Sequence, residues 1–508
     1  MEATSLKENK GETLQLLSSF FQLAMGGLFY IIIMHIMPQT IVGVVALLVA
    51  VTSLLSIALS YGLPYGFQHY ISYLKAKQED TVLREFIKRF SFLSILISLI
   101  SVISLLIFSS ALDSFLFHRL VPTEIIQLLG INLFAVEMNA LFNGMVMGLQ
   151  DYRKSAHILI FSYVSSYSLS IIMFEYTSML QFMIIGWAIG NLVSTFFFVK
   201  TLYSKFKKCN YTPSPKTSRT PIRKVFSYSI PLFLSSSITI GASYVDRLVV
   251  AYYLPLAKLA IYNLSLLIAS SLLALVLPVN NILLTKISSL FASNEVEKIK
   301  LRLRTFVFVL YYFYIPVAFL ILVILQPTII FLGGKKYVGA FLPTALIILV
   351  SALFISYNVL IQGYSGIRKT RIVYLSSIVT FITNLTCSVT LVPLFGVLGG
   401  AVGYSSIFIF NFFILYIFGR RIKLIEVNWW PVVKIFLLAI SIFILVMLFE
   451  TFLGNSTFYT VCYFGIYAIL YIIITKKLKL LGRDEIDIIH YLIPINFPLV
   501  KRLLNWMF

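Results

Sequence analysis

The chain has 508 residues, of which 59% are hydrophobic and only 12% charged, about half the roughly 25% charged share of soluble domains. With a mean hydropathy of +0.95 this composition excludes a soluble globular enzyme, and although 40 basic residues face 19 acidic ones, the basic residues sit in short gaps between apolar runs, which argues against a nucleic-acid-binding protein. The three cysteines, Cys209, Cys387 and Cys462, are scattered without a CxxC pair, so neither a disulfide framework nor a metal site is indicated.

Runs of about 20 apolar residues, each enough to cross a ~30 Å hydrocarbon core as a helix, predict an all-α polytopic membrane protein with about fourteen spans. Residues 1–13 are polar and mixed in charge, and the run at 14–37 is followed by further spans rather than a cleavage site, so it reads as a span and not a signal peptide. The next spans fall at 40–64, 90–112 and 125–148. In the last of these, at ~100° per residue, Asn132, Asn139, Asn143 and Gln150 lie within about 40° of one line. Glu137 lies near mid-span on the opposite side, beside the small residues Ala140, Gly144 and Gly148, whose spacing suits close helix packing. Polar groups inside a span are costly and are functional candidates by default. Asn132, Asn139 and Asn143 are therefore candidate cavity residues, and Glu137 is a candidate ion-coupling site for H+ or Na+, with no other cofactor expected. The competing reading is that the asparagines bond neighbouring helices and that Glu137 is a carboxyl buried at a helix contact.

Spans at 157–174 and 178–203 close an N-lobe of residues 1–203. Residues 204–224 combine Pro213, Pro215 and Pro221 with a basic run and no acid, the pattern of a linker. A C-lobe, 225–419, opens with the span 225–252, in which Ser236, Ser243 and Arg247 share one line and Thr239 and Asp246 adjoin it. Ser243, Asp246 and Arg247 join the cavity candidates, and Asp246 is a second ion-coupling candidate. Asp246 and Arg247 point ~100° apart and are not each other's obvious partner, and Arg247 has the alternative of snorkelling to headgroups. The C-lobe continues through 260–284, 305–332, 340–365, 372–393 and 397–419; spans 432–452 and 458–475 lie outside both lobes, and a tail, 476–508, ends in the basic, aromatic stretch Leu499 to Phe508, which suits an interfacial helix.

Basic loops resist translocation and stay cytoplasmic. With the N-terminus inside, 34 Lys and Arg fall on the inner side and five on the outer side, Lys434 standing at a helix edge. This split predicts an even number of spans in the cell membrane with both termini cytoplasmic. The halves also repeat. GLQDYRK at 148–154 answers GYSGIRK at 363–369 at an offset of 215, Leu63-Pro64 answers Leu277-Pro278 at 214, and Gly186 to Gly190 answers Gly399 to Gly403 at 213. Six spans per repeat bring both halves in from the same side, a parallel repeat of two six-helix lobes followed by two C-terminal helices, the usual frame of an alternating-access transporter.

The Pro231 start of span 7, the Asp246-Arg247 pair near its end, Ala260-Ile261-Tyr262 at the start of span 8, Pro278, and GVLGGAVG at 396–403 carry a resemblance to the polysaccharide-biosynthesis flippases of the multidrug/oligosaccharidyl-lipid/polysaccharide (MOP) exporter superfamily. The resemblance implies transport of a lipid-linked oligosaccharide by a monomer surrounded by membrane lipids, with glycan-assembly enzymes as candidate partners. It also implies a cavity with spans 1, 2, 7 and 8 near its seam, where basic residues of relatives meet the lipid pyrophosphate. This chain departs there, since spans 1 and 2 hold no Lys or Arg, which leaves that task to Arg247, polar side chains and helix N-termini.

Two other readings compete. A cation-coupled multidrug or small-solute exporter of the same superfamily would use Glu137 or Asp246 for coupling, but such proteins usually stop at twelve spans. A membrane-embedded glycosyltransferase or polysaccharide polymerase needs an outer loop or domain that carries acid/base residues, and every outer gap here is under about 15 residues. A transporter rather than an enzyme is expected.

Overall fold

The computed structural model describes residues 2–117, 121–206, 222–423, 427–453 and 457–478. Most of the expected linker and nearly all of the expected tail, including the stretch Leu499 to Phe508, lie outside the described residues. In chain order the helices are α1 (Glu2–Ile36), α2 (Gln39–Ser60), α3 (Leu63–Ala76), α4 (Asp80–Leu116), α5 (Thr123–Gly148), α6 (Tyr152–Thr177), α7 (Leu180–Phe206), α8 (Ile222–Tyr253) and α9 (Leu256–Ala274). There follow α10 (Leu277–Ala292), α11 (Val296–Val323), α12 (Leu325–Gly333), a 3-10 turn at Lys335–Ala340, α13 (Phe341–Phe354), α14 (Tyr357–Gly366), α15 (Thr370–Phe395), α16 (Val397–Arg421), α17 (Trp430–Leu453) and α18 (Thr457–Lys477). Among the described residues there is no strand, and the protein is an all-α, multi-pass membrane protein.

Among the described residues, twelve segments are long and apolar enough to cross a membrane. The other two expected spans coincide with α8 and α18, helices of 32 and 21 residues, long enough to cross at ~1.5 Å per residue. Four expected spans are broken into two pieces. Pro64 and Pro278 stand in the first turns of α3 and α10, where a residue without an N–H is tolerated although it could not continue the preceding helix. Pro327 in the first turn of α12 cannot donate to the Val323 carbonyl, and α11 stops at Val323. The break between α13 and α14 has neither proline nor glycine. There the Tyr311 hydroxyl of α11 donates to Leu353 O at 2.7 Å, occupying the carbonyl that Tyr357 N–H would otherwise use, and a side chain inserted into the ladder bends a helix.

The repeat is written in the backbone. Left-handed residues end helices at Gln78 and Asn294, at Gln150 and Arg368, and at Ser178 and Gly396, pairs separated by 216 to 218 residues. Equivalent helices pack alike: α3 on α5 as α10 on α14, α4 on α5 as α11 on α13, and α6 on α7 as α15 on α16. These contacts correct the register read from sequence. A Cβ on Gly148 would lie 2.8 Å from Cβ of Ile71, and one on Gly366 would lie 2.8 Å from Cβ of Ile287, so Gly148 corresponds to Gly366, three residues beyond Gly363. α7 starts at Leu180 and α16 at Val397, an offset of 217 that pairs Gly186 with Gly403, one helical turn away from the sequence match. Glycine recurs at one-turn spacing in this helix, so a short identity selects the wrong turn.

Two compact units divide at Ala260 and Ile261. By the repeat α8 corresponds to α1 and opens the second lobe, yet it packs on α2 and α3 in the first unit.

Candidate functional site

Glycines admit α8 to the first unit. Gly62, at φ +67°, has room for no Cβ, because one would stand 2.7 Å from Ser229 O and 2.9 Å from Phe233 Cβ. Gly43 lies directly against the Leu256 backbone just past the far end of α8. The helix thus lies along α2 and α3, and its last turns carry the charged pair found in the sequence. Asp246 is fully buried and Arg247 half-buried. Ser243 is exposed and donates to Thr239 O within its own helix at 3.1 Å.

The Arg247 guanidinium sits 4.4 Å over the ring of Tyr244, a cation–π contact between residues three apart on the helix. Tyr244 lies within electrostatic range of Tyr167 of α6. Tyr167 stacks on Phe29 of α1 with centroids 4.8 Å apart, and Phe29 lies 6.5 Å from Trp187 of α7. Phe29, Tyr167 and Trp187 thus form an aromatic run across α1, α6 and α7, with the Arg247–Tyr244 pair of α8 within electrostatic range of it. The guanidinium suits a phosphate, which it binds in bidentate fashion, and the partly exposed rings of Tyr244, Tyr167 and Trp187 suit sugar faces, with Phe29 buried behind them as support. Sequence reading missed the aromatic members. Tyr244 at three residues before Arg247 was a usable signal, whereas Phe29 and Trp187 resemble any other apolar residue of a span.

The polar stripe of α5 faces its neighbours. Asn139 Nδ2 donates to Ser162 Oγ at 2.9 Å and to Asn191 Oδ1 at 3.4 Å, and Asn191 Nδ2 donates to Asn132 Oδ1 at 3.4 Å. Ser155 Oγ donates to Asn143 Oδ1 at 2.6 Å. Asn132 and Asn139 are buried, and with Asn191 they tie α5, α6 and α7 together. Gln150 is the left-handed residue after α5, where its Oε1 accepts from Lys75 Nζ at 3.0 Å while the same ammonium caps Leu149 O at 2.8 Å. On the opposite side the small face packs as its spacing implies: a Cβ on Gly144 would fall 2.7 Å from Pro64 O.

Glu137 is fully buried between α5 and α4. Ser101 Oγ lies 2.6 Å from Oε2 and also 3.1 Å from Ile97 O. Ser98 lies beside the carboxyl but outside hydrogen-bond geometry. A cavity of about 340 Å³ between α2 and α4, lined by Leu55, Leu59, Ser104 and Phe108, reaches Ser101. Glu137 and the Arg247 cluster are distinct groupings within the first unit. Among the described residues no group of three or more His, Cys, Asp or Glu converges as a metal site.

Comparison with known proteins agrees with this architecture. A family profile described as "Polysaccharide biosynthesis protein" matches residues 23–342, more than half of the chain. An uncharacterized membrane protein of Methanocaldococcus jannaschii is 24% identical over 501 residues, covering 91% of this chain and 94% of its own. The lipid II flippase MurJ in an inward closed conformation has the same fold, with a TM-score of 0.70 at 15% identity over 92% of this chain and 98% of its own. So does an inward-facing multidrug resistance MATE family transporter of the MOP superfamily, with a TM-score of 0.67 at 14% identity over 79% of this chain and 94% of its own. The chain belongs to the polysaccharide biosynthesis protein family and is built on the fold of the MOP-superfamily transporters.

Proposed function

We propose that this MOP-type transporter moves a lipid-linked oligosaccharide across the cell membrane by alternating access, with both termini cytoplasmic and no covalent step. The observation that carries the reading is the Arg247 guanidinium over Tyr244, within electrostatic range of the aromatic run Tyr167, Phe29 and Trp187, in a chain of a polysaccharide biosynthesis family. The guanidinium would meet the lipid phosphate, and the rings would hold sugars as the headgroup passes. Asp246, buried one residue before Arg247, remains a second candidate for ion coupling.

Glu137 supports proton coupling. The Ser101 hydroxyl has one proton and two acceptors, Ile97 O and the carboxyl. A proton carried by Glu137 satisfies both, because the carboxyl then donates to Ser101 and Ser101 donates to Ile97. Glu137, Ser101 and Ser98 offer too few oxygens to replace the water shell of a sodium ion, which favours H+ over Na+.

The test is reconstitution. Purified protein in vesicles should translocate a fluorescent lipid-linked oligosaccharide, and faster with an imposed proton gradient. Vesicles that leave the glycolipid on its original leaflet while exporting lipophilic cationic dyes would replace this reading with the multidrug exporter, whose fold it shares.

A further inference from the structure

A second polar grouping lies where α6 begins and α7 ends. The first turns of α6 and the last turns of α7 enclose a cleft of about 610 Å³ lined by Arg153, Lys154, His157 and Lys200, with Asp151, Thr201 and Ser204 at its edge. The charges do not cancel. Asp151 pairs with Lys154 at 3.6 Å, while Arg153 and Lys200, both exposed, have no ion pair among the described residues. His157 Nδ1 donates to Arg153 O at 2.6 Å, which fixes the ring and leaves Nε2 uncommitted by that bond. The N–H groups that open α6 add partial positive charge at the same end.

The cleft continues into an apolar surface within the spans. Phe197 is part of its lining, Phe161 meets Phe197 edge-on at 5.4 Å, and Phe196 adjoins it at 5.9 Å. Phe161 and Phe196 are 43% and 62% exposed, so they face hydrocarbon. A soluble anion would use the basic end and ignore the rings; a lipid uses both. We infer that the cleft is a binding site for an anionic phospholipid of the cytoplasmic leaflet, its phosphate held by Arg153 and Lys200 and its acyl chains lying on the exposed phenylalanines. Basic pockets between spans on the cytoplasmic side bind such headgroups. The inference uses only the orientation adopted above and does not depend on the transported substrate.

Native mass spectrometry of the full chain released from nanodiscs of phosphatidylcholine with phosphatidylglycerol provides the test. The wild type should retain phosphatidylglycerol over phosphatidylcholine, and the double variant Arg153→Ala, Lys200→Ala should lower that affinity about 30-fold, from two surface charge contacts. A charge-matched double variant at two other exposed basic positions, Arg304→Ala with Lys369→Ala, should retain the lipid. Phe161→Ala with Phe196→Ala should weaken phosphatidylglycerol retention without changing protection against thermal unfolding by inorganic phosphate in detergent. Equal loss in both charge variants would reduce the effect to general surface charge and overturn the site. Protection by inorganic phosphate that matches the lipid's, with no effect of the phenylalanine variants, would overturn the lipid as occupant. Failure of oligosaccharide translocation with lipid binding intact would sink the proposed substrate and leave this site standing.

Discussion

Replacing Glu137 with glutamine separates a proton carrier from a packing residue. The amide keeps the volume of the carboxyl and can accept from Ser101 Oγ, which lies 2.6 Å from Oε2, so the change in stability should stay within about 1 kcal/mol. Glu137→Ala removes that contact and leaves a void, although Ser101 falls back on Ile97 O at 3.1 Å and is not orphaned. Its cost should be about 2–3 kcal/mol, visible as a lower unfolding temperature in detergent. If Glu137 only packs, transport should follow stability, with the glutamine variant close to wild type and the alanine variant below it. If it carries the coupling proton, both variants should lose the gradient response equally, because neither side chain can cycle a proton. The assay is glycolipid translocation into vesicles with and without an imposed pH difference, read as a ratio of rates. A glutamine variant with a wild-type ratio would refute the coupling role.

Arg247→Ala should lower glycolipid translocation at least tenfold. Arg247→Lys, which keeps charge but loses the planar fork, should recover only part of it, and a lysine variant with full activity would remove the guanidinium geometry from the explanation. Asn139→Leu deletes the bonds to Ser162 and Asn191 and should cost about 1 kcal/mol, since such bonds average ~0.6 kcal/mol in membranes. Its transport should stay within about twofold of wild type at low temperature, whereas abolished transport with a wild-type unfolding temperature would show that Asn139 meets substrate. Gly186→Ala would place Cβ 2.6 Å from Leu169 O and force α6 and α7 apart, costing about 1–3 kcal/mol. Gly465→Ala on α18, with nothing within 4 Å of its Cβ, should be neutral or stabilising by up to about 1 kcal/mol. Thermal unfolding of the two glycine variants checks the contrast.

Much of the architecture was open to sequence reasoning because it rests on additive quantities. Hydropathy summed over about twenty residues reports the cost of placing a segment in hydrocarbon, and each span found that way falls on one helix or on two consecutive ones. Arg247 and Glu137 stood out for the same reason, as ionisable groups where such groups are expensive. Site chemistry was less legible. The asparagines of α5 face α6 and α7 through Ser162 and Asn191, and helical periodicity names a shared face without naming what covers it.

Composition, charge alternation and the recurrence of Leu-Pro and glycine motifs by themselves determined an all-α membrane protein made of two related halves. Tertiary structure alone decided where the spans break, how the halves align and which rings of α1, α6 and α7 meet. The Tyr311 hydroxyl opens a helix 42 residues away in sequence, and Gly148 is matched to Gly366 through the isoleucines each one touches. Phe29, Tyr167, Trp187 and Tyr244 come from four helices. A property of a segment accumulates along the chain and can be summed there, whereas a hydrogen bond or a ring contact between distant residues exists only after packing has selected the partners.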